Sequence, residues 1–140
     1  MSDQKSNDAC LFRELPYVNA VHVFNSQQWH TAHDLFEELW YEATGDLREL
    51  LQGIIQISVA EYHLGNGNRK GSILLMAEGL NHLYASESVV VGYDLQRLRD
   101  VVRMRLSALQ TNVDLTDLPK PHLSLMHSSE PMFFLNGSFK

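Results

Sequence analysis

Cysteine is almost absent from this chain of 140 residues, with Cys10 standing alone. One thiol cannot close an intramolecular disulfide, and a zinc site would have to draw its ligands from other residue types. Positive charge is also scarce: 11 Lys and Arg face 17 Asp and Glu, a formal net charge of −6. That balance disfavours an extended phosphate-binding surface and hence nucleic acid as a partner. Long apolar runs are missing as well. The longest, around Ile54 to Ala60, is interrupted by Gln56 and Ser58 and is too short to span a bilayer, so no membrane role is expected. The opening MSDQKSNDAC lacks the basic start and apolar run of a signal peptide. A cytoplasmic protein is the expectation.

What is present is an ordinary globular composition, 44% hydrophobic and 20% charged, at the usual length of one domain. Residues 1–10 are polar and predict a flexible N-terminus, residues 11–111 a single helical domain, and residues 112–140 an extended tail. Val18, Val21 and Phe24 after Pro16 predict a first short helix ending near Asn25, with Ser26 as the cap of the next. The second helix, Gln28 to Ala43, places Trp29, Ala32, Leu35, Phe36, Leu39, Trp40 and Ala43 on one arc at about 100° per residue. Thr44, Gly45 and Asp46 supply a stop and a fresh cap. From Leu47 to Leu64 the pattern is apolar around most of the circumference, which marks the central helix of a bundle.

Gly65 to Asn68 make a tight connection into an antiparallel helix from Lys70 to Ala85, where Gly71, Ser72 and Gly79 let backbones approach. Asp94 caps a last amphipathic helix with Leu95, Leu98, Val102, Leu106 and Leu109 on one stripe. Its Arg97, Arg99, Arg103 and Arg105 read as a solvated face. The segment from Asn112 has three prolines and no sustained period, and its Leu123, Leu125, Phe133 and Phe134 are expected to lie on the bundle or on a second subunit. No strand alternation or repeat is visible. The fold class is therefore all-α, a compact bundle of about five mostly antiparallel helices.

Chemistry concentrates in WHTAHDLFEELW, Trp29 to Trp40. His33 and Glu37, at i and i+4, project from one side of the helix, and His30 stands one turn before. An imidazole and a carboxylate at that spacing can share a divalent metal ion, or can hydrogen-bond to each other with the carboxylate fixing the ring tautomer. Both options stand. Gln52 and Gln56 on the polar strip of the central helix either orient this pair or face solvent. Glu61 falls among Leu47, Ile54 and Ile57, where a carboxylate needs a partner or is driven towards its neutral form. No HExxH, phosphate loop, nucleophile elbow or paired Glu-x-x-His occurs, so no enzymatic reaction can be assigned.

Phe24 and Asn25, then His33, Glu37 and Trp40, then Gln52, Gly53 and Gln56, then Asn68 and Gly71 resemble the domain of unknown function 309 family, small prokaryotic helical proteins with an HxxxExxW motif. The resemblance covers about residues 18–85. It implies a metal-ligand role for His33 and Glu37 and a packing role for Trp40; relatives often carry Glu where this chain has Asp34. The leading expectation is a protein with a polar, metal-binding site at His33, Glu37 and His30, supported by Gln52, Gln56 and Glu61. The rival is a non-catalytic interaction module, since Phe24, Trp29, Ala32 and Phe36 fit a tetratricopeptide-like hairpin. In that reading the His/Glu pair is structural, and a protein partner or second copy binds through the tail or the last helix.

Overall fold

The computed structural model describes residues 8–126. A helical turn over residues 8–11 leads into α1 (Leu15–Asn25), α2 (Trp29–Glu42), α3 (Gly45–Gly65), α4 (Arg69–Ala85) and α5 (Leu95–Gln110). This is the all-α bundle that the apolar spacing predicts. Among the described residues no strand forms, and the only extended pairing recorded is an isolated antiparallel bridge between Tyr93 and Leu125. Among the described residues no helix is long and apolar enough to cross a membrane.

Helix α1 starts with Pro16 in its first turn, where the missing N–H costs nothing. The expected cap at Ser26 is not made. Its hydroxyl donates back to His22 O at 2.8 Å and closes α1, while Gln28 occupies the N-cap position of α2 without a side-chain bond. A Ser hydroxyl one residue past a helix end reaches the orphan carbonyls behind it as readily as the amides ahead. In α2 the arc anticipated from spacing is the packed one: Ala32 and Phe36 are fully buried, and Trp29, Leu35, Leu39 and Trp40 lie against the core.

Helix α3 runs through the middle, with α2 packed on one flank and α4 on the other. Leu50, Leu51, Ile54, Ile57 and Ala60 are all buried, as an apolar circumference requires. The α3–α4 contact is close because glycines meet in it. A Cβ at Gly79 would stand 2.8 Å from Ile57 Cδ1, and one at Gly53 2.9 Å from Leu83 Cδ2. Asn68 caps α4 by accepting from Gly71 N–H at 3.0 Å, and Asp94 caps α5 by accepting from Arg97 N–H at 2.9 Å. Tyr62 and Tyr84 are partly exposed at the edges of α3 and α4; Tyr84 takes a hydrogen bond from Arg103. A tyrosine at the edge of a packed face buries its ring and keeps its hydroxyl in contact with polar partners.

After α5 the chain returns across the bundle. Asn25 brackets it, its Nδ2–H donating to Leu123 O at 3.0 Å and its Oδ1 accepting from Leu123 N–H at 2.8 Å. Asp94 N–H donates to Ser124 O and Met126 N–H to Gly92 O. Leu123 is buried beneath this clamp, whereas Leu125 points outward. Phe133 and Phe134 lie outside the described residues, as do residues 1–7 of the N-terminal segment; Asp8 and Phe12 are buried.

Candidate functional site

His33 sits at the margin of the α2 core face and is half-buried. Its Nδ1 is 3.0 Å from Asp34 Oδ1, and its Nε2 is 3.8 Å from Glu37 Oε2. A carboxylate only accepts, so the Nδ1 proton is donated to Asp34. In the neutral ring this leaves an Nε2 lone pair facing the Glu37 carboxylate, too far for a hydrogen bond. The i, i+4 spacing predicts the His33–Glu37 pair but not the contact with Asp34. Neighbouring residues on a helix diverge by about 100°, and only the length of the imidazole lets it swing onto the adjacent carboxylate. His30 Nδ1 lies 3.6 Å from the other oxygen of Asp34 and is therefore drawn to Asp34 rather than to Glu37.

The donor set fits a cation only in an open form. Bonds of about 2.0–2.2 Å to nitrogen and oxygen allow one ion to bridge two atoms 3.8 Å apart. Among the described residues, however, no group of three or more His, Cys, Asp or Glu side chains is gathered to hold a metal ion. His33 also lines a depression of about 200 Å³ between α2 and α3, walled by Trp29, Val59 and Tyr62 and shared with His30 and His63. His63, near the end of α3, is thus brought to the same place, with its Nδ1 3.4 Å from Asn68 Nδ2.

The expected supporting residues go elsewhere. Gln56 Nε2–H donates to Glu78 on α4 at 3.4 Å, and Gln52 lines a second depression with Trp40, Arg48, Glu49 and His82. There Glu49 and His82 are hydrogen-bonded, and the Arg48 guanidinium lies 3.9 Å over the Trp40 ring. No hydrogen bond joins Gln52, Gln56 or Glu61 to His33 or Glu37 among the described residues. The polar strip of α3 faces α4 as much as α2, which a single-helix wheel cannot distinguish.

Glu61 has the partner its burial demands. It is 4% exposed and accepts from Arg105, itself 1% exposed, through Nε–H at 2.6 Å and Nη2–H at 2.7 Å. Arg105 Nη1–H donates to Pro119 O at 3.1 Å, so one guanidinium ties α3, α5 and the returning segment together. The reading of the α5 arginines as a solvated face is corrected at two positions: Arg99 and Arg105 are buried, while Arg97 and Arg103 remain outside. A bidentate guanidinium–carboxylate pair gives each carboxylate oxygen a charge-assisted donor, and Pro119 O takes a third N–H, which is why this pair can leave water.

The ion pair forms part of the wall of a cleft of about 690 Å³ between the start of α2, the end of α3, α5 and the returning segment. Trp29, Leu64, Val113 and Leu115 give it apolar surface, His30 an imidazole, and Arg69 and Lys120 positive groups. Asp114, on the same wall, is turned into its own loop. Thr116 donates to it through its hydroxyl at 2.8 Å and its backbone N–H at 3.1 Å, which holds the carboxyl below the ordinary carboxylate range. No signal in the sequence pointed to this cleft, because its walls come from segments far apart in the chain.

No curated protein matches the chain. The Phe-Asn turn, the HxxxExxW helix α2, the glycine-bearing α3 and the Asn-capped start of α4 fall together within residues 17–75, which match one family model, described as Domain of unknown function (DUF309), and this match supports the family resemblance over that stretch.

Proposed function

We propose that this is a cytoplasmic helical protein that binds a divalent cation at His33 and Glu37, with water completing the coordination. The observation that supports it is the placement of two acceptors, His33 Nε2 and Glu37 Oε2, 3.8 Å apart while Asp34 takes the other ring nitrogen. Two facing lone pairs repel unless a positive charge lies between them, and a carboxylate on the distal nitrogen is the usual means of orienting a ligating imidazole. Glu37 contributes negative charge and Asp34 fixes the tautomer. His30, tied to Asp34, is an accessory group rather than a third ligand. The reading is one of binding, and no reaction is assigned to the site.

Metal analysis and calorimetry with Zn²⁺ and Mn²⁺ on untagged protein test it. Saturable one-to-one binding is expected, abolished in His33→Ala and Glu37→Gln with the helical spectrum intact. Asp34→Asn should weaken it by about 10–100-fold. Binding should also fade on acidification, since a ligating imidazole must be unprotonated. Metal-free wild type, with both variants melting at lower temperature, would sink the proposal and favour the interaction module, in which the pair only fixes helix register.

A further inference from the structure

The cleft beside the Glu61–Arg105 pair adjoins the depression at His33, sharing Trp29, His30 and Tyr62 with it, but neither His33 nor Glu37 lines it. Its volume of about 690 Å³ lies within the usual range for small-molecule sites, and its lining combines apolar surface with a few polar groups. The charges on its walls do not cancel. Glu61 and Arg105 neutralise each other inside the protein, and Asp114 is engaged by Thr116. Arg69 is held by one hydrogen bond, from Nη2–H to Leu109 O at 2.9 Å, and makes no ion pair among the described residues. Lys120 is exposed and makes neither an ion pair nor a side-chain hydrogen bond among them. In a chain of net charge −6, Arg69 and Lys120 against the single Asp114 carboxylate leave this concave wall, which faces Trp29, Leu64, Val113 and Leu115, with a formal excess of one positive charge.

We infer that this cleft binds a small organic anion, a carboxylate or phosphate monoester with an apolar body. The anionic head lies with Arg69 and Lys120, the former able to offer a planar fork and the latter a mobile point charge. The body lies against Trp29 and the two side chains of the returning segment, Val113 and Leu115. Arg105 does not touch the head group. It is 1% exposed, its Nε–H, Nη1–H and Nη2–H are engaged by Glu61 and Pro119 O, and it acts by holding the returning segment in place as a wall.

Calorimetry on the full chain with hexanoate, phenyl phosphate and hexan-1-ol provides the test. Saturable one-to-one binding of hexanoate or phenyl phosphate is expected, the tighter of the two identifying the head group, with hexan-1-ol bound at least about tenfold more weakly. Lys120→Glu, whose side chain holds nothing in the fold, should lower anion affinity at least about tenfold, and Lys120→Arg should restore it. His33→Ala should leave anion binding unchanged, which separates this site from the cation site. Failure of both anions to bind, or binding that Lys120→Glu does not alter, overturns the inference.

Discussion

Glu61 and Arg105 show how one pair of residues can govern a bundle. The misfit of a carboxylate on an apolar face is legible in the sequence, and so is its need for a partner. The identity of that partner is not, because Arg105 lies 44 positions away and no local spacing encodes the contact. Deleting one member strands the other without water, so Arg105→Met is expected to cost about 3–5 kcal/mol in urea unfolding, and Glu61→Leu combined with it should recover most of the loss. An unchanged midpoint for Arg105→Met would refute this. Tyr17 offers a second test. Burial and the nearby Asp8, Glu14 and Glu42 carboxylates raise its hydroxyl above the ordinary tyrosine range. As pH rises the unfolded chain therefore loses this proton first. The stabilisation is complete below about pH 10 and is lost as pH climbs through the raised folded value. Tyr17→Phe keeps the ring contact with Phe12, at 4.6 Å between centroids. It should flatten the decline of melting temperature between neutral and strongly alkaline pH relative to wild type.

The helices themselves were largely readable, because each buries a face whose period is written in its own residues. The α2 arc, the apolar α3 and the Asp94 cap follow from spacing alone. What failed at this scale was anything requiring two elements at once, such as the turn of Ser26 back onto α1 or the division of the α3 polar strip between α2 and α4. The α3–α4 seam lies between these cases. Gly79 was expected to permit close approach, and Gly53 proves to be the residue it meets across the seam. A methyl group at Gly79 has Ile57 and the Gly53 carbonyl in its way, so Gly79→Ala should destabilise by about 1–3 kcal/mol despite better helix propensity. Gly65 has open space and unstrained backbone, and Gly65→Ala should be neutral or stabilising by up to about 1 kcal/mol in the same denaturation assay.

At the scale of the whole molecule, the segment after α5 decides whether the cleft exists. Its course could not be read from a stretch without periodicity; Asn25 sets it, from 98 positions away. Asn25→Ala removes two hydrogen bonds, one of them to a buried backbone amide. Amide exchange at Leu123, Met126 and Asp94, whose N–H groups bond in or to the returning segment, is expected to rise at least about tenfold, with α3 amides unaffected. Equal acceleration throughout the bundle would instead mean that the clamp supports the entire fold. The distance between Glu61 and Arg105 also has a meaning in time. At about 5–20 residues per second, a ribosome takes roughly 2–9 s to add the 44 residues separating them. During that interval α3 is already synthesised while its carboxylate has no counter-charge, so the nascent chain commits to its interior only when α5 emerges.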